Sequence, residues 1–175
     1  MSRNLIKKVC LLGDGEVGKT SLIRKFVYDQ FDDKYLMTIG TKITKKALAL
    51  SHQGTPVNLT LMINDIVGQV EFERIHKQYY RGSMAGILVC DLTRKPTLER
   101  IDWWLDSFRE VAGDVPIILL GNKADLTEKL EISDNDLSNY SKDIGCSHFI
   151  TSAKTGLNVE KAFIKVGKVL CQTNQ

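Results

Sequence analysis

A three-layer α/β fold built on an open, mostly parallel sheet is what this sequence predicts. Short apolar runs alternate with helical patterns along the whole chain, the mark of strands joined by crossover helices. Two of those runs, GILVCDL (86–92) and PIILLGNKADL (116–126), are continuous rather than alternating, as expected of strands covered on both faces. One turn signal, HQGTP at 52–56, separates two strand-like segments and makes a single pair antiparallel.

Each element follows in order. LIKKVCLLG reads as the first strand and KTSLIRKFVYDQF as the helix after it. TKITKKALALS and VNLTLMIND flank the hairpin turn, and FERIHKQYYRG is helical. GILVCDL leads into a helix over TLERIDWWLDSFREV, whose Leu98, Ile101, Trp104, Leu105 and Phe108 share one face. NDLSNYSKDIG and NVEKAFIKVGKVL are helices on either side of a short strand at SHFIT. With no repeat, low-complexity segment or linker, residues 1–175 read as one domain, long enough for a full core.

Composition excludes several classes. A net charge of +3 without a long basic block gives no reason to expect nucleic acid. No apolar run approaches bilayer length, and the amino terminus lacks the pattern of a signal peptide. Cys10, Cys90, Cys146 and Cys171 form no CxxC pair, so zinc is not expected and reduced thiols of a cytoplasmic protein are.

Ligands of such sheets lie at the carboxyl ends of the strands, and the loops there carry the chemistry. GDGEVGKTS, Gly13 to Ser21, matches G-x-x-x-x-G-K-[ST] between a strand and a helix. Its glycines let the backbone curl with N–H groups inward, and with the helix start they cradle phosphate oxygens. Lys19 supplies positive charge for the β- and γ-phosphates, and the Thr20 hydroxyl is a hard oxygen donor suited to Mg²⁺. GNKADL, at 121–126, ends a buried strand. There the Asp125 carboxylate is set to accept the two adjacent donors of a guanine edge, N1–H and the 2-amino group, where adenine presents an acceptor. Asn122 is expected to hold the base from its other edge and tie loops together, the Lys123 stem to lie on the ring, and the Ala153 N–H of TSAK to meet the guanine carbonyl. In NDIVGQVE, Asp65 is expected to hold Mg²⁺ through water, Gly68 to lend its N–H to a γ-phosphate and Gln69 to orient the attacking water. Thr38 is expected to reach the metal when a γ-phosphate draws its loop inward.

These motifs, in this order and spacing, resemble the Ras superfamily of small GTPases, with TIG at 38–40 most similar to its Rab branch. The resemblance implies a P-loop NTPase fold of six strands, five parallel and one antiparallel, with five helices. It implies a nucleotide set of Gly13, Gly15, Glu16, Val17, Gly18, Lys19, Thr20, Ser21, Phe31, Tyr35, Thr38, Gly68, Asn122, Lys123, Asp125, Ser152, Ala153 and Lys154. Phe31 is to pack edge-on against guanine and Tyr35 to close over the γ-phosphate. Thr20, Thr38 and Asp65 are the metal set; Gln69, Lys19 and Thr38 the catalytic one. Switch I is about 31–40 and switch II about 65–80. Hydrolysis of GTP to GDP and phosphate resets both switches. With Arg24 in the first helix and Arg74 and Arg81 in or after switch II, no arginine is placed as a finger in cis. Slow intrinsic turnover follows, along with partners: an exchange factor, an activating protein and effectors.

Several residues depart from the family pattern. Glu16 stands where a small residue is usual and brings a repulsive carboxylate to the phosphate site, at ~1 kcal/mol if solvated. Met37 replaces a usual proline, which loosens switch I. Ile66 and Val67 replace Thr-Ala, a change of little consequence, and Asn64 stands where many relatives carry Trp, which reads as a difference of lineage ahead of an altered effector surface. Cys171 is not fourth from the end and position 2 is not glycine, so no lipid anchor is visible in this chain. Of the tryptophans, Trp104 falls on the core stripe and Trp103 off it. His52, His76 and His148 have no carboxylate or cysteine at catalytic spacing. Two alternatives stand beside the active switch: a module that holds guanine nucleotide without turnover, which Gln69 opposes, and a P-loop ATPase or kinase, which Asp125 opposes.

Overall fold

The computed structural model describes residues 3–34, 37, 38 and 40–173. Tyr35, expected over the γ-phosphate, lies outside the described residues. The strands are β1 (Arg3–Leu12), β2 (Lys42–His52), β3 (Thr55–Asp65), β4 (Ala85–Asp91), β5 (Ile117–Asn122) and β6 (Ser147–Ile150). They form one sheet in the order β2-β3-β1-β4-β5-β6, with only β2 antiparallel to its neighbour. This is the expected mixed sheet. The β2–β3 hairpin closes through Gln53 (φ 49°) and Gly54 (φ 78°), whose paired positive angles match the twist of the flanking strands.

The helices are α1 (Lys19–Tyr28), α2 (Glu73–Tyr80), α3 (Lys95–Glu99), α4 (Ile101–Ala112), α5 (Asp134–Asp143) and α6 (Val159–Gln172). α3 and α4 abut at Arg100, which is itself right-handed helical, so the helix expected over 97–111 is present in two segments and the five-helix layout holds.

Period-two alternation in the central strands explains the two covered faces. Val9, Leu11, Ile87, Val89, Ile118 and Leu120 point toward α1 and α6, where Phe26 and Phe163 stack with ring centroids 4.1 Å apart. Cys10, Leu12, Leu88, Cys90 and Leu119 point toward α2, α4 and α5, onto Tyr80, Trp104, Phe108 and Leu137. Each large side chain so buried contributes about 1.5–3 kcal/mol. Trp103, expected off the core stripe, is half-buried and packs edge-on against Trp104 at 4.9 Å. Among the described residues, no helix is long and apolar enough to cross a membrane.

Parallel pairing sets the functional edge. Leu11 pairs with Asp65, Asp91 with Asn122, and Gly121 with Ile150. The loops after β1, β3, β4, β5 and β6 therefore leave the sheet on one side.

Candidate functional site

A cavity of about 380 Å³ opens at that edge. Its lining includes Gly15, Glu16, Gly18, Lys19, Thr20, Ser21, Phe31, Thr38, Gly68, Gln69, Asn122, Lys123, Asp125, Ala153 and Lys154. Of the other predicted residues, Val17 and Ser152 are fully buried behind it, and Gly13 is held in the loop by Lys19.

The loop after β1 is shaped by close approach. Gly18 caps α1 in a left-handed conformation (φ 100°) without any side-chain cap. A Cβ there would stand 2.3 Å from Asn122 Nδ2. The first-turn N–H groups of α1 thus stay free to meet an anion. Lys19 is 6% exposed and its Nζ donates to the carbonyls of Gly13 (2.6 Å) and Asp14 (2.8 Å). Burial pulls its pKa down to about 8, with Asp65 and Asp14 opposing the shift. A phosphate arriving beside it would reverse that desolvation loss.

The three predicted metal residues converge although they come from three segments. Thr20 Oγ1 donates to Asp65 Oδ2 at 2.5 Å and lies 2.9 Å from Thr38 Oγ1. Asp65 is 3% exposed, its Oδ1 has no hydrogen-bond partner, and burial raises its pKa. An unsatisfied buried carboxylate oxygen beside two hydroxyls is a donor set that fits a hard divalent cation.

The segment after β3 presses on the loop after β1. A Cβ on Gly68 would stand 2.4 Å from Gly15 N and 2.6 Å from the Asp14 carbonyl oxygen, so only glycine permits the contact. Gln69 Nε2 lies 3.0 Å from Met37 Sδ, bridging the two segments expected as switches on the exposed side. Glu16 is exposed at φ 65° and has no ion pair among the described residues. Asn64 is 1% exposed, with Nδ2 3.4 Å from the Tyr79 carbonyl. It therefore contributes nothing directly to a surface, which leaves the difference of lineage as its reading.

At the other end, Asn122 spans three loops. Its Nδ2 donates to the Val17 carbonyl (3.0 Å), and its Oδ1 accepts from Ala153 N and Thr151 Oγ1 (both 3.2 Å). The Ala153 N–H expected at guanine is thus already engaged by Asn122 and would be shared on binding. Asp125 Oδ1 accepts from Ser152 Oγ at 2.6 Å, which orients the carboxylate. Lys123 takes a left-handed φ of 70° and ion-pairs with Asp91 at 2.8 Å. Burial pushes the Asp91 carboxyl up, but Lys123 and the Thr93 donors outweigh it and hold the pKa low. Lys154 Nζ reaches Asp33 Oδ1 at 3.5 Å. Of the histidines, His148 does have a carboxylate neighbour, Asp134 at 3.0 Å, but on α5 and away from the cavity.

Sequence reasoning missed the outer support of the loop. Trp104 Nε1 donates to Asp14 Oδ1 at 2.8 Å, Arg100 lies 3.6 Å from Asp14 Oδ2, and Arg94 Nη2 donates to the Gly15 carbonyl at 2.9 Å. The partners are about 80 to 90 positions apart in sequence, and no local signal links them.

Comparison with known proteins agrees with this geometry. A model of the Ras family matches residues 8–172. The chain is 33% identical over 169 residues to the Ras-related protein Rab-21 of Bos taurus, covering 96% of this chain and 74% of that one. The match to Ras-related protein Rab-21 of Homo sapiens has the same identity, over 96% and 73% of the two chains.

Proposed function

Since this chain belongs to the Ras family, on its Rab-like branch, and is a GTP-binding, GTP-hydrolysing switch, we propose how its own residues divide that work. The observation that carries the proposal is the convergence of Lys19, Thr20, Thr38, Gly68 and Asp125 on one cavity from segments spread over the whole chain, with buried Asp65 hydrogen-bonded to Thr20 beside it. Residues 1–175 act as one G domain.

Lys19 and the N–H groups at the start of α1 bind the phosphates and offset their charge. Thr20 and Thr38, and Asp65 through water, would hold Mg²⁺, which would supply positive charge to offset that of the phosphates. Asp125, oriented by Ser152, selects guanine. Asn122 holds the base loops to the phosphate loop. Phe31, Lys123, Ala153 and Lys154 border the base. Gln69 orients the attacking water. Thr38 and Gly68 release when the γ-phosphate leaves, so switch I (31–40) and switch II (65–80) change together and partner proteins read the difference. Those partners are an exchange factor, an activating protein and effectors. Turnover unaided is slow on this reading, because among the described residues the arginine of the cavity lining is Arg24, which lies on α1 and not in either switch. The unpaired thiols of Cys10, Cys90, Cys146 and Cys171 support a reducing, cytoplasmic setting.

Timed phosphate release from GTP-loaded protein, with and without Gln69→Leu, tests the reading. Release by the wild type and its loss in the variant support an active switch. Equal inertness of both, with cell extract added, favours a module locked on its nucleotide.

A further inference from the structure

The Arg94 guanidinium is held from two sides. Its Nε donates to Asp91 Oδ2 at 3.0 Å, and its Nη2 donates to the Gly15 carbonyl at 2.9 Å. Asp91 is 1% exposed, and the same Oδ2 takes Lys123 Nζ at 2.8 Å. Its other oxygen accepts from the Thr93 N–H and hydroxyl. One buried carboxylate at the end of β4 therefore anchors both the lysine of the base side and an arginine of the phosphate side. Only a planar fork fits this task, because its donors reach two acceptors in different directions.

Gly15 is the loop residue on which Gly68 of switch II closes. Its carbonyl and the Glu16 N–H belong to one peptide unit, and no peptide bond among the described residues is cis. In a trans peptide those two groups point in opposite directions. Gly15 and Glu16 line the cavity and Arg94 does not, so Arg94 grips the loop from outside. With the carbonyl held outward, the Glu16 N–H is turned inward.

We propose that Arg94 is a positioning residue which, tethered by Asp91, fixes the Gly15–Glu16 peptide so that the Glu16 N–H is aimed at the phosphates of the bound nucleotide. This rests on the reading of the site given above. Arg94 acts through Gly15 and touches no substrate, so it differs from an arginine finger. It also brings positive charge to the loop that carries Glu16.

The test compares wild type, Arg94→Ala and Arg94→Lys, each loaded with Mg²⁺ and nucleotide. Single-turnover GTP hydrolysis is timed, and the Glu16 amide proton is followed by NMR in the GDP-bound form. Arg94→Ala is expected to slow hydrolysis about tenfold, equivalent to about 1.4 kcal/mol, and to move the Glu16 amide resonance upfield as its hydrogen bond weakens. Arg94→Lys, able to satisfy one acceptor at a time, recovers part of both. Hydrolysis within about twofold of wild type in both variants, or an unmoved Glu16 amide, overturns the proposal. Should Arg94→Ala fail to fold, Arg94→Lys decides by the same two readouts. A wild type that neither retains guanine nucleotide nor hydrolyses it defeats the site reading itself and this inference with it, an outcome distinct from active wild type with matching variants.

Discussion

Asn122 Nδ2 donates to the Val17 carbonyl at 3.0 Å, joining the end of β5 to the loop after β1 across 105 positions of sequence. The same amide takes the Ala153 N–H on its other atom. On the proposed reading, phosphate grip and base grip are therefore one mechanical unit. Val17 is fully buried and Ala153 nearly so, and each buried group left unpaired costs about 1–3 kcal/mol. Asn122→Ala is expected to raise the GDP dissociation rate roughly 10- to 100-fold, measured by loss of a fluorescent GDP analogue against excess unlabelled GDP. A rate equal to wild type would show that the link is incidental.

Gly68 has no space for a side chain against Gly15 and Asp14. Gly68→Ala must push switch II off the phosphate loop. Nucleotide binding, which relies on the other loops, should survive within a few-fold, while GTP hydrolysis falls about 100-fold or more as Gln69 is displaced. Parallel measurement of affinity and single-turnover rate checks the split. Equal loss of both would indicate general damage.

Glu16 combines a carboxylate near the phosphate site with a left-handed backbone, φ 65°. The two effects separate by substitution. Glu16→Ala and Glu16→Gly both remove the charge and should slow GDP release about 5-fold, for ~1 kcal/mol of repulsion. Only Glu16→Gly also relieves the backbone, worth about 1 kcal/mol, and should raise the thermal midpoint. Unchanged release in both variants would place the carboxylate fully in solvent.

His76 on α2 is 1% exposed, with its ring centroid 5.2 Å from that of Trp104. Burial, then the nearby Lys19 charge, lower its pKa below 6.5, with the Val67 backbone and Glu73 opposing. The unfolded chain then binds more protons than the folded one between the lowered value and 6.5. Stability is accordingly unaffected by this group above 6.5 and is lost as pH falls below it, by at most about 1.4 kcal/mol per pH unit. Denaturant midpoints of wild type and His76→Leu from pH 7.5 to 5 should diverge in slope below 6.5. Parallel slopes would remove His76 from the acid response.

Much of this was legible in the sequence because the informative features are local. The loop motif, the aspartate ending β3 and the N-K-x-D turn each fit within ten residues, and parallel topology brings strand ends to one edge without further information. The antiparallel hairpin and the strands covered on both faces were readable for the same reason. What escaped depends on contacts between distant elements. Arg94 was an ordinary basic residue in a loop until the register Asp91–Asn122 placed it behind Gly15. The burial of Asn64 and the packing of Trp103 likewise follow from how α2 and α4 sit on the sheet, which periodicity alone does not give.

Competition between GTP and ATP for fluorescent GDP on the purified protein, with Mg²⁺ present and phosphate release followed in the same samples, tests the central claim most directly. The account predicts displacement by GTP at concentrations about a thousandfold below those ATP requires, with slow phosphate release from GTP that Gln69→Leu abolishes. Equal competition by ATP, or no nucleotide retained, would contradict it.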